Sequence, residues 1–353
     1  MRLGRWAVLA LGIAAAACAS TIGPVVPSVQ VLVVLDSMDD TLRIIPVDTP
    51  DVVHKVALNI GIASFGKHAL ALRGQLAAIG LGRTALLYDL APLQRRCRVD
   101  FADTVGVIVS LAFADNNGQV YAALPATNNA PHFDPTTCGV GNVHVRGGPS
   151  AFVSARSTFF VVTGGAAAFS WLSTTNGPTS DNLPLSPADS IPLSLPGNAK
   201  GAVFGSDGFL YVINAGTGLP NARLSQVNPV LRTELNVIPG FGTLPRFIAT
   251  DGADRIFVAS ALEGLMVYNI RTNQVERGAN SAIPLFGTPR GLAADDLGRV
   301  YALIAGACKA GGALGSVRVL GADLVYKRVV NVGGCPVAVG VTDIPATLYR
   351  FDS

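Results

Sequence analysis

Two segments near the C-terminal end of the chain are copies of one another. Pro245-Arg246-Phe247-Ile248-Ala249-Thr250-Asp251 leads into Asp254-Arg255-Ile256-Phe257-Val258. Forty-four residues on, Pro289-Arg290-Gly291-Leu292-Ala293-Ala294-Asp295 leads into Gly298-Arg299-Val300-Tyr301-Ala302. A looser copy, Lys200-Gly201-Ala202-Val203-Phe204 followed by Asp207-Gly208-Phe209-Leu210-Tyr211, lies forty-six residues before the first. Each copy reads as strand, tight turn, strand, because apolar β-formers flank an Asp/Gly turn. A strand-built period in the mid-forties is the sequence signature of a β-propeller, in which each repeat is one blade and no blade can bury its faces alone.

The residue after each turn gives one column along the chain: Val33, Ala77, Tyr121, Phe160, Tyr211, Phe257 and Tyr301. Seven markers imply an all-β, single propeller of seven blades over residues 29–353. A third strand is expected at Thr41–Val47, Ala85–Leu90, Asn142–Arg146, Ala168–Ser173, Leu265–Ile270 and Ser316–Leu320. Val29–Leu35 reads as a second strand with no innermost strand before it. Val337–Val341, after Pro336, supplies one, so strands from both termini would close the ring and remove its exposed edges. The tail Ala346–Phe351 keeps an eighth blade open. Asn128–Gly141 reads as a loop insertion, and Thr174–Asn198, rich in Pro, Ser, Asn and Asp, as a long surface excursion.

Half of the 353 residues are hydrophobic and 14% are charged, with 39 Gly, which suits strands buried on both faces and joined by tight turns. Residues 1–17 read as a signal peptide: Arg2 and Arg5 precede the apolar run Trp6–Ala17. Ala15-Ala16-Ala17-Cys18 resembles a lipobox, which makes Cys18 a lipidated mature N-terminus, followed by a linker over 18–28. Cleavage after Ala19 is the alternative. Either way the chain is exported, to the periplasm or the cell surface, and a lipid anchor is its one expected membrane contact. Losing Arg2 and Arg5 leaves basic and acidic residues nearly balanced, so charge gives no case for a nucleic-acid partner. In an oxidising compartment the even set Cys97, Cys138, Cys308 and Cys335 suggests disulfides, with Cys97–Cys138 and Cys308–Cys335 favoured over the other pairings. Four buried thiols are the alternative.

The segment at 289–302 resembles an NHL-type propeller repeat, whose broader relatives include YVTN-type surface propellers and the gluconolactonase and quinoprotein-like groups. The resemblance implies the fold and leaves the activity open, because such propellers host enzymes, binders and scaffolds. Gluconolactonase-like propellers hold a metal with acids and Asn from separate inner strands. A metal-dependent, lactonase-like hydrolase with its site in the channel is therefore the enzymatic alternative, with a divalent metal as cofactor. A quinone propeller would need an aromatic cage, and Trp171 is the one Trp outside the leader.

Local motifs for chemistry are absent. His54, His68, His132 and His144 show no metal-binding spacing, and there is no Gly-x-Ser-x-Gly elbow or phosphate-cradling loop. The Asp-rich turns lack the alternating ligands and closing Glu of an EF-hand and read as turn chemistry. One column does carry charge. Lys200, Arg246 and Arg290 each stand eleven residues before the marker, at the start of the innermost strand. Three neighbouring blades would then aim cations at one mouth of the channel, where Arg suits bidentate contact with carboxylate or phosphate. Pairing with Asp251, Asp254 or Asp295 is the competing reading. The sequence thus leads to a monomeric, non-enzymatic binding scaffold, with no cofactor, for a small anionic ligand or a partner protein. The leader makes one prediction: N-terminal mass analysis of the exported protein finds acylated Cys18, and Cys18→Ser releases the protein from the membrane fraction. A mature chain starting at Ser20 would mean ordinary cleavage instead.

Overall fold

The computed structural model describes residues 27–346 except 60–67, 102–105, 116–117, 128, 146–147, 156–157, 164–173, 176–190, 195–197 and 217–219. The leader with Cys18, the expected strand Ala168–Ser173 with Trp171, and the tail beyond 346 lie outside the described residues.

The described strands form seven antiparallel sheets. Sheet A joins both ends of the chain, in the order β27 (Pro336–Pro345), β1 (Ser28–Asp36), β2 (Thr41–Pro46), β3 (His54–Ala57). Sheet B holds β4 (His68–Arg73), β5 (Leu76–Leu81), β6 (Thr84–Leu90) and β7 (Leu93–Asp100). Sheet C holds β8 (Ser110–Phe113), β9 (Val120–Ala123), β10 (Asn129–Phe133) and β11 (Val140–His144). Three described strands make sheet D: β12 (Pro149–Ala155), β13 (Thr158–Thr163) and β14 (Thr174–Thr175). Sheet E follows with β15 (Ala199–Phe204), β16 (Leu210–Asn214), β17 (Arg223–Asn228) and β18 (Thr233–Pro239). Sheet F comprises β19 (Pro245–Thr250), β20 (Arg255–Ser260), β21 (Gly264–Asn269) and β22 (Gln274–Arg277). Sheet G comprises β23 (Pro289–Ala294), β24 (Val300–Ile304), β25 (Gly315–Leu320) and β26 (Tyr326–Gly333).

Each innermost strand packs against the next, from β27 through β4, β8, β12, β15, β19 and β23 back to β27. The chain is an all-β propeller. Its core is divided into wedges between sheets, and the period-2 alternation of strands explains how one strand serves two wedges. Val31, Val33 and Leu35 of β1 face sheet B, while Leu32 and Val34 face sheet G. In β24, Val300, Ala302 and Ile304 face sheet F, and Tyr301 and Leu303 face sheet A. With both faces buried, these strands read as continuous apolar runs.

Three expectations need correction. Asn128–Gly141 is not an insertion, because Asn129–Phe133 forms β10, the third strand of sheet C. The segment expected as that third strand, Asn142–Arg146, overlaps β11, which is the fourth. The Pro and His within Asn129–Phe133 hid a strand that pairs β11 along its whole length. In sheet B the marker Ala77 packs towards sheet A, whereas Ala78 packs towards sheet C. The β4–β5 connection is a two-residue hairpin with Gly74 at φ 55°, tighter than the Asp-bearing turns. A slip of one residue reverses every side chain in the strand, so the column shifts face there.

Ring closure is long and specific. β1 pairs β27 from Ser28↔Pro345 to Asp36↔Pro336. A buried carboxylate finishes the seam at the end where β27 begins. Asp36 Oδ1 accepts the backbone N–H groups of Met38 (3.0 Å) and Cys335 (3.2 Å), and its Oδ2 meets Arg43 at 3.2 Å. Gly333, at φ 116°, passes so close that a Cβ there would lie 1.6 Å from Asp36 Oδ2. Cys308–Cys335 ties sheet G to the same seam, and Cys97–Cys138 ties sheet B to sheet C. These are the two pairings favoured from sequence. Loops of this length stabilise by about 3–4 kcal/mol each.

Removing one member of a buried ion pair strands the other, at about 3–5 kcal/mol. Asp36→Ala is therefore expected to lower the urea midpoint strongly. Asp39→Ala removes the exposed second partner of Arg43 and should cost about 0–1 kcal/mol. Equal, small shifts for the two variants would contradict this role for Asp36.

Candidate binding face at the upper mouth of the channel

The innermost strands all run in the same sense, so all begin at one mouth, here the upper, and end at the other. At the upper mouth a local irregularity recurs. The pairing register slips between Pro149 and Ala151, Ala199 and Gly201, Pro245 and Phe247, and Pro289 and Gly291. A fifth slip in β27 leaves Val337 out of register between Pro336 and Ala338. Each slip is a β-bulge whose extra residue stands outside the ladder. Four of these five strands begin with Pro, which has no N–H to lose. The bulged residues are Ser150, Lys200, Arg246, Arg290 and Val337. The three cations singled out from sequence are thus brought to one rim, on the consecutive sheets E, F and G.

Arg246 and Arg290 are exposed, and among the described residues neither makes a hydrogen bond or an ion pair. Lys200 is half-buried and engaged within the chain. The acids weighed as competing partners sit at the opposite mouth and are occupied there. Asp251 Oδ1 accepts the N–H groups of Ala253 and Arg255 at 2.9 and 3.1 Å. Asp254 pairs with Arg271 at 2.6 Å and Asp295 with Arg299 at 2.7 Å. Beside Arg246 the upper face exposes Leu244 and Leu262, and Leu314 and Lys309 stand exposed above sheet G. Glu263 is turned into its own loop, where it accepts the Thr243 N–H at 2.8 Å and the Ser260 hydroxyl.

The lower mouth has the reverse character. A cavity of about 420 Å³ opens there, lined by Gln30, Gly74, Asp295, Asp296, Thr342 and Asp343. Asp295 is buried and saturated: beyond Arg299 it accepts the Leu297 and Arg299 N–H groups and the Tyr301 hydroxyl at 2.8 Å. Two sheets away, Asp207 repeats the backbone and tyrosine bonds, accepting the Phe209 N–H at 3.1 Å and the Tyr211 hydroxyl at 2.8 Å. Among the described residues no group of three or more His, Cys, Asp or Glu could hold a metal ion.

Sequence reasoning identified the marker aromatics as packing residues but missed the hydroxyl bonds. The signal was the Asp four residues before Tyr211 and six before Tyr301. Burial, followed by the bond to the neighbouring carboxylate, pushes both hydroxyls far above the ordinary tyrosine range. A raised pKa means that the folded state keeps a proton the unfolded chain gives up near pH 10. The stabilisation is complete below about pH 10 and lost as pH rises beyond it. Urea unfolding between pH 8 and 11.5 should show stability falling above about pH 10. The fall should be shallower in the Tyr211→Phe, Tyr301→Phe double variant, and an identical pH profile would refute the assignment.

No family model and no curated protein matches this chain. Solved structures do. Hydrazine synthase of Kuenenia stuttgartiensis superposes with a TM-score of 0.61 at 13% identity, over 83% of this chain and 99% of that one. The dihydro-heme d1 dehydrogenase NirN, in complex with DHE, gives 0.56 at 12% identity, over 88% of this chain and 74% of that one. At this identity the likeness is one of fold: this chain is similar to both in being a β-propeller.

Proposed function

We propose that this chain is an exported, lipid-anchored propeller of seven blades, one for each sheet, that binds an anionic group at its upper mouth. The carrying observation is the bulge column, which sets two exposed arginines on adjacent innermost strands while the acids of the same cassettes are consumed at the other mouth. An arginine that has no acid of its own and is only lightly desolvated is available for a carboxylate or phosphate. Two disulfides fit a chain that matures outside the reducing cytoplasm. The anchor at Cys18 completes this reading, with the mature chain tethered to the envelope.

Isothermal titration with citrate and with pyrophosphate tests the site. The wild-type protein is expected to bind at least one of them, more weakly as salt rises. Arg246→Glu with Arg290→Glu should weaken binding by at least about tenfold, since two charge-assisted contacts become repulsive. Circular dichroism checks that the variant keeps its fold. Unchanged binding in the double variant, or none by the wild type, would overturn the proposal.

A further inference from the structure

This inference rests on the anion-binding reading and names its partner. Three properties coincide above sheets F and G: two exposed arginines with no side-chain partner among the described residues, exposed leucines beside them, and an acid, Glu263, already spent on its own loop. A small, fully hydrated anion would have no use for Leu244, Leu262 and Leu314. A polypeptide with both acidic and apolar side chains would use all of them.

Spacing narrows the choice. Arg246 and Arg290 hold the same place on β19 and β23, which approach with Cα atoms within 8 Å. In an extended chain, alternate side chains fall on one face about 6.6–6.8 Å apart, while adjacent ones point to opposite faces. We propose that the upper mouth holds an extended segment of a partner protein with acidic residues at alternate positions and apolar residues between or beside them. One carboxylate meets Arg246 and the next meets Arg290, while the leucines take the apolar side chains.

The two ends of the described chain argue for a protein over a lipid surface. β1 begins, and β27 ends, at the lower face, where the Ala346 N–H donates to the Pro27 carbonyl at 2.7 Å. Whatever precedes residue 27 therefore joins the propeller on the face opposite the arginines.

The test is fluorescence anisotropy on the exported protein with labelled peptides of one composition. One carries Asp-Leu-Asp flanked by leucine and the other Asp-Asp in the same context. A third peptide, with its two acids four residues apart on a helix-forming background, stands for a helical partner. Anionic phosphatidylglycerol vesicles stand for a membrane. The alternate-acid peptide is expected to bind at least about tenfold tighter than the others, with Arg246→Ala and Arg290→Ala each weakening it several-fold. Leu262→Ser should weaken the peptide but not citrate. If citrate binds and the alternate-acid peptide shows no advantage, the partner inference fails while the anion site stands. Stronger binding to the helical peptide or to vesicles overturns it in the same way. If neither citrate nor any peptide responds to the arginines, both fall.

Discussion

Everything in this fold depends on the seam between β1 and β27. A propeller sheet is stable only when both of its faces meet neighbours, so a ring with one open wedge exposes two apolar faces at once. Here the wedges on either side of sheet A draw on β1, whose odd residues serve sheet B and whose even residues serve sheet G. Joining the first strand to the last makes those two wedges conditional on a single pairing. The buried Asp36, its bonds to Cys335 and Arg43, and the Cys308–Cys335 disulfide all concentrate at the upper end of this seam. The close passage of Gly333 against Asp36 shows how little room the chain leaves there.

The same cassette gives the channel its polarity. In its two closest copies it places, within six residues, an arginine on a bulge at one end of the innermost strand and an aspartate in the turn at the other. At the turn of sheet G, Asp295 accepts backbone N–H groups, an arginine and a buried tyrosine hydroxyl, and at the turn of sheet F, Asp251 accepts two backbone N–H groups. At the bulges of these two copies Arg246 and Arg290 have no side-chain partner among the described residues, whereas Lys200 on sheet E is engaged. Sheets F and G therefore set a structural acidic end against an exposed basic end by the same local pattern. The proposed anion site rests on this asymmetry, because groups satisfied inside the fold have little left to offer a ligand.

The fold was legible because its signals are local and repeated. Asp/Gly turns, apolar runs and the period in the mid-forties identified most strands, and the spacing of cysteines suggested the two disulfides that form. The errors are equally local. Pro131 and His132 disguised β10, and the Gly74 hairpin shifted the marker of sheet B by one residue, turning Ala77 to the other face. Of the candidate site, the alignment of Lys200, Arg246 and Arg290 was visible as a column. Their state was not: the difference between an engaged Lys200 and two arginines with no side-chain partner among the described residues depends on what other parts of the chain bring nearby.

By itself the sequence determined the β-propeller class, the closing strand at the C-terminal end and the column of cations, since each follows from residue type, spacing and the alternation of a strand. Only the tertiary structure decided which acids are consumed, which tyrosines carry a hydroxyl bond, and that Asp36 is buried against Cys335, 299 residues away. These are properties of groups distant along the chain and adjacent in space. Their energies are set by desolvation and by partners that no local pattern encodes.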